Sequence, residues 1–177
     1  MKTTIALTTL LLLAPVALYA DDDDDDGDQR GRAARVTKQL PASEGLTQYR
    51  AECGSCHLAY PPGMLPARSW SRILDGLGDH FGENAELDAA TRASLGDWLS
   101  KNAAENGTHP RSRKVLKSAQ GTTPLRISDL RFIQKEHAEV NAAVWKRPAV
   151  KTVANCGACH LDAEQGSFSE HRIEIPR

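Results

Sequence analysis

Two short runs of this 177-residue chain carry residue types and a spacing that imply specific chemistry. Cys53-Gly54-Ser55-Cys56-His57 and Cys156-Gly157-Ala158-Cys159-His160 are both C-x-x-C-H. That is the attachment signature of a c-type haem. Two thiols three positions apart can each form a thioether to one haem vinyl group. The histidine that follows is then placed to ligate iron. All four cysteines of the chain are used and none is left over. A four-cysteine zinc site would not need a histidine after both pairs, and the 103 residues separating the motifs exceed the span of common zinc ribbons. Two disulfides would make the repeated histidine a coincidence. The reading is therefore two covalently bound haem c groups, attached through Cys53, Cys56, Cys156 and Cys159, with His57 and His160 as proximal iron ligands.

Candidates for the sixth ligand positions are Met64 and the remaining histidines, His80, His109, His137 and His171. Met64 lies seven residues past His57. Reaching the opposite haem face needs a path of roughly 20 Å, and seven extended residues span at most about 25 Å. A turn at Pro61-Pro62-Gly63 uses up that slack, so Met64 reads as a packing residue. His80 stands beside an apolar stripe, and His137 shares a face with Ile133 and Val140; both are ligand candidates. His109 precedes Pro110 in a turn. His171 sits in a short polar tail, within reach of the second motif but without an apolar face.

The elements that must position these residues read as helices. Ser43 is a cap for a helix running into Cys53, and Pro66 suits the first turn of the next. Trp70, Ile73, Leu74 and Leu77 fall at i, i+3, i+4 and i+7, and Phe81 extends the stripe. A further helix over 88–102 carries Leu95, Trp98 and Leu99 on one face. Residues 111–124, basic and then rich in Gly, Thr and Pro, read as a connector. Ser128 or Asp129 is the expected cap of a helix reaching His137, and a last helix is expected to enter Cys156. No segment alternates as a strand. The expected class is mainly α with extensive loops.

The ends and the composition limit the rest. Residues 1–20 have Lys2, a short apolar run and a closing Ala20, the pattern of a secretory signal peptide cleaved near Ala20. Residues 21–41 read as an acidic tail and linker. Seven aspartates fall within 21–28, a solvated, self-repelling run in which calcium ligands would make a weak site. The whole chain carries a net charge of −1, but residues 29–177 hold 21 bases against 16 acids. Leu, Ile, Val and Phe make up 27 of the 157 residues after Ala20. That share, about 17%, is low for a folded domain, so two porphyrins would have to supply part of the apolar core. The remaining chain has no second long apolar run and reads as soluble and exported to the periplasm.

The run Cys53-Gly-Ser-Cys-His57-Leu-Ala-Tyr-Pro-Pro-Gly-Met-Leu-Pro-Ala-Arg-Ser-Trp70 resembles the periplasmic dihaem cytochrome c family. The similarity continues through Leu77-Gly78-Asp79-His80-Phe81-Gly82, Arg126-Ile127-Ser128, Glu136-His137 and Val153-Ala154-Asn155-Cys156 to His160. The resemblance implies two closely spaced bis-histidine haems in two haem-binding halves, here 42–118 and 119–177. His80 would be distal on the first haem and His137 on the second. It implies electron transfer rather than catalysis, with a small oxygen-binding monohaem c-type cytochrome or a membrane b-type cytochrome as redox partner. The chain departs from the family at Asp129-Leu130-Arg131, where a proline is common, and in its aspartate run. Two rival readings are a dihaem electron-transfer subunit of a periplasmic reductase and a dihaem peroxidase. The second needs an open distal position, which bis-histidine iron lacks.

Overall fold

The structure, a computed structural model, describes residues 43–107 and 111–177. The expected signal peptide, the acidic run and His109 lie outside these residues. Five α-helices, short 3₁₀ turns and loops make up the described chain; its only strand-like pairings are two isolated bridges, His80 with Glu83 and His160 with Ile173. The class is mainly α with extensive loops, as expected. No helix among the described residues is long and apolar enough to cross a membrane.

Helix α1 spans Glu44–Cys53, and the Ser43 hydroxyl accepts the Leu46 N–H at its start. Satisfying one of the free first-turn donors this way fixes where the helix begins. Helix α2 spans Ala67–Asp75, with Pro66 as its N-cap residue rather than inside the first turn. Helix α3 spans Ala89–Asn102; the Asp88 carboxylate accepts the Ala90 and Thr91 N–H groups, which holds its carboxyl below the usual range. Leu95 and Leu99 of α3 are fully buried against Leu46, Tyr49, Trp70 and Leu74. Each such leucine contributes roughly 1.5–3 kcal/mol relative to leaving it in water.

The structure revises several expected elements. α2 ends at Asp75, and Leu77–Asp79 form a 3₁₀ turn. The apolar stripe therefore stops short of Phe81, which is 46% exposed with φ at 60°. Glycines at 76 and 78 explain the stop, since each weakens a helix interior. The expected connector instead holds helix α4, Ser112–Ser118, whose Val115 is fully buried. Helix α5 is short, Arg131–Glu136, and is capped by Leu130; Ser128 and Asp129 lie in the 3₁₀ turn before it. Cys156 is entered through turns and a 3₁₀ segment, Cys156–Ala158, not a helix.

The core gathers residues from Leu46 to Leu130. Met64 is also buried, 5% exposed. Beyond His137 the buried apolar side chains are Val144, Val150 and Ala163.

Candidate functional site

The first motif begins on the last turn of α1, which ends at Cys53, and His57 follows in a turn. His80 sits at the end of the 3₁₀ turn Leu77–Asp79, in a tight reversal. Its N–H donates to the Glu83 carbonyl at 2.7 Å, and the Asp79 carboxylate accepts the Gly82 N–H. Both central residues of that reversal, Phe81 and Gly82, have positive φ. The reversal brings His80 back to the first motif: the His57 and His80 ring centres are 6.1 Å apart, with planes inclined by 22°.

The second motif is built the same way from different parts. His137 caps the end of α5, and its N–H donates to the Ile133 carbonyl. His160 is held by its N–H to the Cys156 carbonyl and by its pairing with Ile173. The His137 and His160 ring centres are 6.0 Å apart. A metal–imidazole bond of about 2.0–2.1 Å, with each ring centre roughly 1 Å further back, puts two rings on opposite sides of one metal about 6 Å apart. Both pairs have that separation, so the four histidines fit two six-coordinate haem irons. His171 lies exposed in the 3₁₀ turn Glu170–Arg172.

Hydrogen bonding prepares the rings. The Nδ1 atoms of His57 and His137 lie 2.8 Å from the Leu58 and Ile133 carbonyls. A carbonyl can only accept, so each Nδ1 carries the proton and Nε2 keeps its lone pair. Burial, with the facing His57 and then Arg126, holds the His80 imidazole below its ordinary pKa. His160 is lowered likewise by burial, His137 and Arg111. Both shifts favour the neutral ring, the form that can ligate iron. The His160 Nδ1 is buried and makes no hydrogen bond to the described residues.

No disulfide joins any of the four cysteines. Burial pushes Cys53 up to about 11, and Cys156 and Cys159 are also raised chiefly by burial. Among the described residues no three Cys, His, Asp or Glu side chains converge as a metal cage. The zinc reading therefore has no geometry to support it.

Residues not singled out in the sequence complete the sites. Each histidine has an aromatic neighbour: Tyr60 at 5.3 Å from His57, Phe81 at 4.8 Å from His80, Trp145 at 6.0 Å from His137 and Phe168 at 5.4 Å from His160. The Arg126 guanidinium lies 3.7 Å above the Phe81 ring. The Tyr60 hydroxyl donates to the Ala154 carbonyl at 2.6 Å, joining the two haem-binding stretches across 94 residues. A tyrosine before two prolines was the available signal for Tyr60, since proline restricts the residue before it to extended backbone. Nothing local marks the other three.

Comparison with known proteins identifies the family. A model of the dihaem cytochrome c family matches residues 49–168. A diheme cytochrome c from Rhodobacter sphaeroides is 41% identical, with a TM-score of 0.62 over 69% of this chain and 95% of that one. A diheme cytochrome type c from Shewanella baltica is 33% identical, with a TM-score of 0.63 over 76% of this chain and 95% of that one. No curated protein matches. With two C-x-x-C-H motifs, two facing histidine pairs and this likeness, the chain belongs to the dihaem cytochrome c family and is an electron-transfer protein with two covalently bound haem c groups.

Proposed function

We propose that the chain is an exported, periplasmic electron carrier whose two haems are both bis-histidine ligated and which catalyses no reaction of its own. His57 and His80 are the axial pair of the haem on Cys53 and Cys56. His160 and His137 are the pair of the haem on Cys156 and Cys159. The carrying observation is the matched separation of the two ring pairs, 6.1 and 6.0 Å.

Each haem supplies one electron's worth of storage at its iron when bound. The protein's part is to close both axial positions, exclude exogenous ligands and tune the potential. Histidine in place of methionine lowers that potential. Arg126 beside His80 and Arg111 beside His160 raise it by favouring the less positive, reduced iron. The partner is a small monohaem c-type or membrane b-type cytochrome. Exposed Arg113, Lys114 and Lys117 on α4 offer a basic face to an acidic one. The leader-like residues 1–20 support export.

His80→Ala and His137→Ala test the ligand pairs. Each should turn one of the two haems high-spin in the oxidised protein. A variant that leaves both haems low-spin refutes its pair.

A further inference from the structure

The Tyr60 side chain joins the two haem-binding segments. Its ring lies 5.3 Å from the His57 ring, inclined by 30°. Its hydroxyl donates at 2.6 Å to the Ala154 carbonyl, two residues before Cys156. That carbonyl also accepts the Cys156 N–H at 2.9 Å. A carbonyl has two lone pairs, so both donors are served together. One oxygen therefore sets where the second attachment segment begins and ties it to the ligand of the first.

Tyr60 is itself held in place. The Tyr49 hydroxyl donates to its carbonyl at 2.7 Å, which fixes its backbone to α1. Pro61 and Pro62 follow, and the Pro62 carbonyl accepts the Trp70 indole N–H at 2.8 Å. The Pro61 ring also lies beside Gly166, six residues past His160. A pre-set tyrosine is a stiffer spacer than a mobile one, because its ordering is already complete.

We infer that Tyr60 is a positioning residue for electron exchange between the two haems, holding the His57 segment and the Ala154–Cys156 segment at a fixed separation. The inference rests on the axial pairs proposed above. In the exchange one electron leaves one iron and reduces the other, and no bond or proton changes place. Tyr60 keeps its hydroxyl proton throughout.

The test is the rate of electron exchange in the half-reduced holoprotein, measured from magnetic-resonance exchange broadening of the haem methyl signals. Tyr60→Phe keeps the ring against His57 and removes only the hydroxyl. Loss of one such hydrogen bond shifts the balance between held and released segments by about two- to tenfold, and exchange should slow measurably, by up to that factor. Tyr60→Leu, which removes the ring as well, should slow it at least as much. Val144→Ala, a core truncation in the second haem-binding half, should lower the unfolding temperature and leave exchange unchanged. Exchange in Tyr60→Phe at the wild-type rate overturns the inference, as does equal slowing in Val144→Ala. The oxidised spectra separate this from the ligand assignment. A high-spin haem in the wild-type protein refutes the axial pairs, whereas unchanged exchange between two low-spin haems refutes only the role of Tyr60.

Discussion

Phe81 combines a strained backbone with a ring that serves the first site, and replacing it separates the two. Its φ of 60° is a left-handed conformation that costs an L-residue roughly 1–2 kcal/mol. It occupies the centre of the reversal that returns His80 to His57, a place that glycine or asparagine usually takes. The ring offsets the cost. Arg126 above it contributes about 0.5–1 kcal/mol at this exposure, and the His80 contact at 4.8 Å another 0.5–1.5 kcal/mol or so. Phe81→Ala keeps the strained backbone and loses both contacts, so it should destabilise the protein by about 1–2.5 kcal/mol. Phe81→Gly loses the same contacts but relieves the strain, less roughly 0.5–1 kcal/mol for glycine's freer unfolded chain. The glycine variant should therefore be the more stable of the two by up to about 1.5 kcal/mol. Denaturant unfolding of the holoprotein, followed by haem absorbance and compared at equal slope, measures this. Both variants should bind cyanide at one haem faster than the wild type, because His80 has lost its ring support. An alanine variant more stable than the glycine variant would refute the strain argument. Unchanged cyanide binding would refute the part given to the ring.

Two further expectations follow from burial. In a protein produced without residues 1–20, Tyr49 and Tyr60 are the tyrosines. Burial raises Tyr49 well above its usual value, and burial with Cys156 nearby pushes Tyr60 up to about 12. The unfolded tyrosine value is near 10, so both favour folding fully below pH 10 and lose that contribution as pH rises through the folded values. Tyrosinate absorbance should accordingly stay low until above pH 11, and a step at pH 10 would contradict the burial of both. The segment 138–177 buries Val144, Val150 and Ala163 and few other apolar groups. Replacing Cys156 and Cys159 by serine should make it protease-sensitive while α1 to α4 stay protected, and an equally resistant segment would show that it folds without its haem.

What could be read from the sequence followed from how local each signal is. The attachment motifs are five contiguous residues whose chemistry is fixed by covalent spacing. α1 and α3 were legible because Ser43 and Asp88 cap them and their buried residues recur at helical intervals. α4 was hidden because its basic residues surround only Val115 and Leu116 on the inner face. His80 was read onto a helix because the apolar stripe outlasts the helix; the glycines at 76 and 78 carried the contrary signal. His80 reaches His57 through a reversal and not along a helix, a tertiary fact that periodicity does not encode. The same holds for Tyr60, whose partner at Ala154 is 94 residues away.

The central claim is that both irons are closed by histidine pairs, and the most direct measurement is carbon monoxide titration of the reduced, purified holoprotein together with the spin state of its oxidised form. The account predicts two low-spin haems per chain and no prompt carbon monoxide uptake. A high-spin ferric signal, or immediate carbon monoxide binding at either haem, would contradict it.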